Sequence, residues 1–576
     1  MNIFSTIWLL PLFTFIYVND ILPIEATHNV YRNLQNSSSD LTDQTYRTGY
    51  HFQPPKNWIN DPNGPMLYKG YYHLFYQYNP KGAVWGNIVW AHSISTDLIN
   101  WTPLDPAIFP SQPSDVNGVW SGSATILHGN KPAILYTGIN KLNQQVQDIA
   151  YPKNLNDPFL REWIKSPKNP LMEPTIENKI NASSFRDPTT GWLGKDGHWR
   201  ILVGNKNNTR GIALLYKSKD FINWIKSENP LHSAEGTGMW ECPDFFPVLK
   251  IGTFGVDTSL NNDKVRHVLK VSLDDTKHDH YLIGSYDEGK DKFTPDHGFE
   301  EVSSEHVLRY DYGKYYASKT FFDYGKNRRI LLGWANESSR PDYDIKKGWS
   351  GIHTIPRTIW LHKSGKQLVQ WPVVELEKLR LNHVNLPAKV LKGGELLQIN
   401  GVTAAQADVE ISFEVNNIGK AEVLDKWTDP QILCSQSSSR KNGLGPFGLL
   451  AFASKGLEEF TSVFFRIFKY QQKPLVLFCS DQSRSSLNKD NDLTTYGTFI
   501  DVDVLNEKLS LRSLIDHSVV ESFGGEGRAC ITSRVYPTLA INDKALLYAF
   551  NNGTTDIKIT SLNAWSMKKA QLNGKL

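Results

Sequence analysis

The chain reads as all-β: a five-bladed β-propeller followed by a C-terminal β-sandwich. Helical periodicity is scarce, and short apolar runs bounded by Gly, Pro, Asn and Asp dominate, the pattern of strands closed by turns. Five runs look like one strand used repeatedly: Tyr72–Tyr76, Ala133–Tyr136, Arg200–Val203, His280–Ile283 and Arg329–Leu332. A second marker recurs behind them. Ser95-Thr-Asp-Leu-Ile-Asn-Trp101 returns nearly residue for residue as Ser218-Lys-Asp-Phe-Ile-Asn-Trp224. Trp101, Trp163 and Trp224 stand 62 and 61 residues apart, and Phe293 follows after 69. Self-similarity at a fixed period marks a repeat architecture. Units of about 60 residues with four strands each match propeller blades, and the span 50–380 holds five of them.

Taken in order, residues 1–26 are expected to be a signal peptide. Ile3 to Val18 is almost wholly apolar but too short to span a bilayer, and Ala26 offers a small residue for cleavage before Thr27. Residues 27–49 are an N-terminal extension and 50–380 the propeller. The polar stretch 381–395 is expected to be a linker. Alternation resumes in Ala407–Phe413, Thr461–Ile467, Leu475–Phe478 and Leu509–Leu514, which makes 396–576 an antiparallel sandwich. Gly443-Leu-Gly-Pro-Phe-Gly448 matches the dinucleotide fingerprint in spacing. It carries a proline and opens no helix, so it is not a cofactor site, and no cofactor is expected.

Lys and Arg number 62 against 59 Asp and Glu, a net charge of +3 with a pI near 8.3. No basic cluster interleaved with aromatics points to nucleic acid, and no later apolar stretch points to a membrane. The mild positive charge suits ionic association with an anionic matrix polysaccharide such as pectin. Otherwise a monomer is expected. Six Asn-x-Ser/Thr sequons fit secretion: Asn36, Asn100, Asn181, Asn207, Asn336 and Asn552. Four cysteines are too few for a disulfide-framed scaffold, and their spacing fits no zinc site, so no metal is expected. Cys434 and Cys479 lie in the strand-rich C-terminal third and could pair across a sheet. In an oxidising compartment Cys242 would need burial to stay reduced.

Three short stretches carry chemistry: Trp58-Ile-Asn-Asp61-Pro-Asn-Gly64, Arg186-Asp187-Pro188 and Trp240-Glu241-Cys242-Pro243. Cleaving a glycosidic bond needs two carboxyl groups flanking it, one as nucleophile or base and one as proton donor. Asp61 lies in a turn with Asn60 and Asn63, whose amides can keep it ionised as a nucleophile. Glu241 sits between Trp240 and Cys242-Pro243, an apolar setting expected to raise its pKa, as suits a general acid that later acts as base. Arg186 should hold Asp187 ionised, placing it to bind two ring hydroxyls. Each carboxylate occupies a similar place in a different unit, so a propeller would turn all three into one central funnel. Singly each motif means little, because Asp, Pro, Asn and Gly are ordinary turn formers.

The trio in this order resembles the plant acid invertases and fructan exohydrolases, the β-fructosidase family of glycoside hydrolases. The resemblance covers about 50–565, including Asp516-His-Ser-Val-Val-Glu-Ser-Phe523 in the sandwich. It implies Asp61 as nucleophile, Glu241 as acid/base and Asp187 as transition-state stabiliser. It implies apolar faces for the sugar ring from Trp58, Trp85 and Trp120, with hydroxyl partners in Asn60, Gln77 and Ser121. Trp334 joins this set by its place at the end of an inner-looking strand. Pro243 is similar to the cell-wall type, which implies a secreted, apoplastic protein. Asp274, held by Lys277, resembles the loop that orients the glucose half in sucrose-cleaving members. Sucrose is therefore the expected substrate. The alternatives are a fructan exohydrolase on inulin or levan, a fructosyltransferase, and a non-catalytic sugar- or wall-binding relative, which usually lacks one of the three carboxylates.

Overall fold

The computed structural model describes residues 44–296, 308–437 and 443–574. The expected signal peptide and the Asn36 sequon lie outside them. Five antiparallel sheets follow one another along the chain, then two larger ones. Blade I is built from Asn57–Tyr68, Tyr71–Asn79, Val89–Ser95 and Thr102–Ile108, and blade II from Gly118–Leu127, Lys131–Ile139, Gln145–Pro152 and Trp163–Lys165. Blade III begins with two short pieces, Phe185–Arg186 and Trp192–Leu193, that both pair with Trp199–Asn207, and continues through Arg210–Ser218 to its outer edge. Blade IV comprises Trp240–Leu249, Val265–Leu273, His278–Asp287 and Lys292–Pro295, and blade V Tyr316–Asp323, Arg328–Ala335, Arg357–Leu361 and Leu368–Pro372. An excursion of blade V brings Trp349–Ser350 back to pair in parallel with Asn57–Trp58, joining the last blade to the first.

Both repeats seen in the sequence have structural causes. Trp101, Trp163, Trp224 and Phe293 all stand at or beside the start of the fourth, outer strand of their blades. The duplicated Ser-x-Asp-x-x-Asn-Trp segment is one turn made twice. Asp97 Oδ1 accepts the N–H of Ile99 and Asn100 at 3.0 and 2.8 Å, and Asp220 Oδ1 accepts those of Ile222 and Asn223 at 2.9 and 2.8 Å. One reading needs correction. The runs at Tyr72, Ala133, Arg200 and Arg329 are second strands, but His280–Ile283 is a third strand. The true counterpart in blade IV is Val265–Leu273, displaced by a long loop after Leu249, which also explains the wider spacing to Phe293.

The C-terminal part is a sandwich of two seven-stranded sheets closed over one apolar core that includes Phe413, Phe447, Phe465 and Phe478. The stretch 381–395 is not an unstructured connector. Arg380–Leu386 and Lys389–Leu391 both pair with Ile557–Met567, as a polar edge of the sandwich. The disulfide joins Cys434 to Cys479, but it ties the helix Pro430–Ser437 to a strand rather than bridging two strands. Gly443–Gly448 runs into the buried strand Leu444–Ala453. Among the described residues no helix is long and apolar enough to cross a membrane.

The Asp516–Phe523 motif docks the two domains. Asp516 accepts the backbone N–H groups of Gly49, Tyr50 and His51 at 2.6, 2.8 and 2.9 Å, and the His51 ring at 2.9 Å. Glu521 accepts from His51 Nε2 at 3.1 Å, from Ile355 N at 2.8 Å and from Arg357 at 3.0 Å. Arg357 also pairs with Asp311 at 2.9 Å. Burial alone would lower the His51 pKa, but its hydrogen bonds to Asp516 and Glu521 outweigh that and raise it. Leu514 and Phe523 of the sandwich share an apolar cluster with Tyr50, Phe52 and Leu332 of the propeller.

Candidate active site

The first strands of four blades are irregular where they approach the propeller axis. Register breaks fall between Ile59 and Pro62 in blade I, Trp120 and Gly122 in blade II, Glu241 and Asp244 in blade IV, and Tyr316 and Lys319 in blade V. A bulge re-aims side chains that a regular strand would alternate between its faces. Asp187, Cys242 and Ala317 hold φ of 67°, 43° and 53°, a left-handed conformation costing a residue with a Cβ about 1–2 kcal/mol. In blade III close approach is secured by Gly204, the cross-strand partner of Arg186, where a Cβ would meet the Trp240 carbonyl oxygen at 2.0 Å.

These bulges surround one cavity of about 420 Å³. All three candidate carboxylates line it, and so do the ten other candidate residues: Trp58, Asn60, Gln77, Trp85, Trp120, Ser121, Arg186, Asp274, Lys277 and Trp334. Two aromatic pairs form its walls, Trp58 edge-on to Trp334 at 5.6 Å and Trp85 edge-on to Trp120 at 5.7 Å. Trp85 is 56% exposed at the mouth. Such a mix of apolar planes and converging polar groups is what a sugar requires.

Asp61 accepts from Ser121 Oγ at 2.5 Å and from Asn60 Nδ2 at 3.0 Å, with Cys242 Sγ at 3.4 Å. Asn63 does not contribute; its side-chain oxygen accepts the Gly122 N–H instead. Burial pushes the Asp61 carboxyl up, and the donors only partly offset this, so the expected simple stabilisation of its charge is not what the site provides. Asp187 accepts from the Cys242 N–H at 2.9 Å. Burial raises its pKa too, against the opposing pull of Arg186.

Glu241 departs most from the expectation. It faces no apolar pocket: Oε1 accepts from Arg186 Nη2 at 2.8 Å and Nε at 3.1 Å, and Oε2 accepts from the Tyr316 hydroxyl at 2.5 Å. Lys277 Nζ stands 3.7 Å away. Its sequence neighbours do not set its surroundings, because the bulge turns Glu241 among groups of other blades while Trp240 is buried and bonded to Thr237. Arg186 thus serves Glu241 more directly than Asp187, and also reaches Asp274 at 3.4 Å. Lys277 binds Asp274 as expected.

Three lining residues escaped the sequence reading: Gln145, Ser183 and Tyr316. Gln145 and the Ser183 carbonyl hold the Arg186 guanidinium at 3.2 and 3.4 Å. Tyr316 heads the first strand of blade V, the place Asp61 and Glu241 hold in theirs, and that equivalence is the signal that could have found it. Cys242 and Cys530 are free and buried. Of the sequons, Asn181, Asn207 and Asn336 are exposed and Asn552 half-buried, while Asn100 is half-buried with its amide on Asp97 at 2.8 Å.

Residues 51–372 match the family model for the Glycosyl hydrolases family 32 N-terminal domain, and 375–566 that for the Glycosyl hydrolases family 32 C terminal. The chain is 73% identical over 551 residues to a cell wall isozyme of beta-fructofuranosidase from Pisum sativum, covering 94% of this chain and 98% of that one. It is 62% identical to a fructan 6-exohydrolase from Beta vulgaris over 92% of this chain and 88% of that one. The crystal structure of fructan 1-exohydrolase IIa from Cichorium intybus superposes with a TM-score of 0.90 at 54% identity, covering 93% of this chain and all of that one.

Proposed function

Because this chain belongs to the glycosyl hydrolases of family 32, we propose that it is a secreted β-fructofuranosidase that cleaves the terminal non-reducing fructosyl residue of sucrose with retention. The observation that carries this is the meeting of Asp61, Asp187 and Glu241, from three blades, in one aromatic-walled cavity. Asp61 attacks the anomeric carbon while Glu241 protonates the departing glycosidic oxygen, releasing glucose and leaving a fructosyl ester on Asp61. Glu241 then takes a proton from water, which attacks the same carbon, frees fructose and restores both carboxyls. The Tyr316 hydroxyl can donate to the Glu241 carboxylate and accept from its protonated form, so it can follow the proton through the cycle. Asp187 binds ring hydroxyls and opposes the positive charge of the oxocarbenium-like transition state.

Sucrose is favoured over fructans by Asp274, which Lys277 and Arg186 hold at the rim beside Glu241. The Pisum sativum relative, named as a cell wall isozyme, supports an extracellular, wall-associated location. The small positive net charge fits ionic retention there by acidic polysaccharide as a monomer. The second reading, a fructan exohydrolase, draws on the Beta vulgaris and Cichorium intybus relatives. Incubating the purified protein separately with sucrose, 1-kestose, inulin and levan tests the assignment. Fastest release from sucrose is expected. Release only from fructans would establish the exohydrolase reading, new oligosaccharides from sucrose a transferase, and no turnover on any a binding protein.

A further inference from the structure

Lys270 has no exposed side-chain surface and lies in the second strand of blade IV, outside the cavity lining. Its ammonium donates to the carbonyl oxygens of Cys242 at 3.1 Å and Ser318 at 2.7 Å and to Ser272 Oγ at 2.8 Å, and pairs with Asp279 at 3.3 Å. Asp279 is equally buried. It accepts from the Ser272 hydroxyl at 2.6 Å and from the backbone N–H groups of Ala317 at 3.1 Å and Ser318 at 2.9 Å.

The backbone groups served are those of two bulges. One follows Glu241 in blade IV and the other follows Tyr316 in blade V, with Cys242 and Ala317 in the left-handed region. A bulge withdraws backbone groups from the ladder, and buried groups so released need other partners. Lys270 takes a carbonyl from each bulge, and Asp279 takes the N–H groups of the second. The pair therefore fastens two neighbouring blades at the point where each presents a side chain to the other, the Tyr316 hydroxyl on Glu241 at 2.5 Å. A buried ion pair is a poor source of stability beside a well-packed apolar pair, so its use here fits a geometric role.

We propose that Lys270 and Asp279 are positioning residues that set the Tyr316–Glu241 contact, and through it the proton transfer at the glycosidic oxygen. The proposal rests on the reading of Glu241 as acid/base. Arg186 and Lys277 face Glu241 from the cavity side, and neither bonds Lys270 or Asp279.

The test measures kcat, KM and the pH–rate profile on sucrose for Lys270→Met, Ser272→Ala and Tyr316→Phe, and for each of the first two combined with the third. Lys270→Met is expected to lower kcat about 10- to 100-fold, part of the 10²–10⁴ that a positioned proton donor supplies, with KM within about 3-fold. The basic limb of its profile should move in the same direction as in Tyr316→Phe. Adding Tyr316→Phe to Lys270→Met should cost little more, because both remove one contact. A folded Lys270→Met protein with the parent's turnover and profile overturns the proposal, and so do losses that multiply in the double variant. If Lys270→Met does not fold, Ser272→Ala decides: a smaller loss with the same shift supports the role, and an unmoved profile overturns it. Glu241→Gln separates the two readings, since full activity there would instead remove the acid/base assignment.

Discussion

Arg186 spans from blade III to Glu241 in blade IV, its Nη2 2.8 Å from Oε1, and the same nitrogen lies 3.4 Å from Asp274. One guanidinium thus joins the proposed proton donor to the loop proposed to recognise glucose. Specificity and proton transfer share a support here, which bears on how each variant below should behave.

The stereochemistry is the most direct check of mechanism. With Asp61 as nucleophile, fructose should leave with its anomeric configuration retained, as expected for carboxyls about 5–5.5 Å apart. NMR of the first product formed from sucrose reads this. An inverted first product would rule out the covalent intermediate.

Glu241→Gln should leave binding largely intact and lower turnover by about 10²–10⁴-fold, the contribution of a positioned general acid. Steady-state kinetics on sucrose with a confirmed native fold checks it. Undiminished turnover would place the proton donor elsewhere.

Asp274→Ala should cut activity on sucrose by about 10-fold or more, the cost of one hydrogen bond to a charged group. Activity on inulin or levan, where present, should stay within a few-fold. Comparing both substrates matters because Asp274 also touches Arg186: equal losses on both would show that its main role is to steady the guanidinium rather than to recognise glucose.

Stability should respond to Asp148, a buried carboxyl of blade II. Burial, opposed only in part by its bond from Ser114, pushes its pKa up to about 7. Unfolded, it would lose its proton near pH 3.9, at about the ordinary value. The folded state therefore holds the extra proton between those values. Its contribution is complete below the unfolded pKa and is lost as pH rises through about 7. Asp148→Asn, which mimics the protonated form, should show a smaller drop in melting temperature between pH 5 and 8 than the parent. Parallel curves would sink this account.

The three carboxylates were legible as candidates because their three motifs stand together in one order, and the blade count because its outer-strand aromatics recur. What escaped notice depends on partners distant in sequence. The polar residues 381–395 read as a linker since their strand partner, Ile557–Met567, lies at the far end of the chain. Tyr316 has no local signature, and Lys270 in an alternating strand looks like any solvated lysine. The setting of Glu241 was misjudged for the same reason: its neighbours Trp240 and Cys242 are apolar, but Arg186 and Tyr316 come from other blades.

The docking of Asp516 and Glu521 onto His51 and Arg357 limits how this enzyme can be rebuilt. These ionisable groups are sealed from water, and the pairs His51–Asp516, His51–Glu521 and Arg357–Glu521 all cross the domain boundary. A propeller expressed without its sandwich would keep Arg357 and His51 but lose two of their counter-ions. A sandwich borrowed from another protein would have to bring both carboxylates in the same register. A chimera joined at their seam should therefore succeed only between parents that share this set of charges.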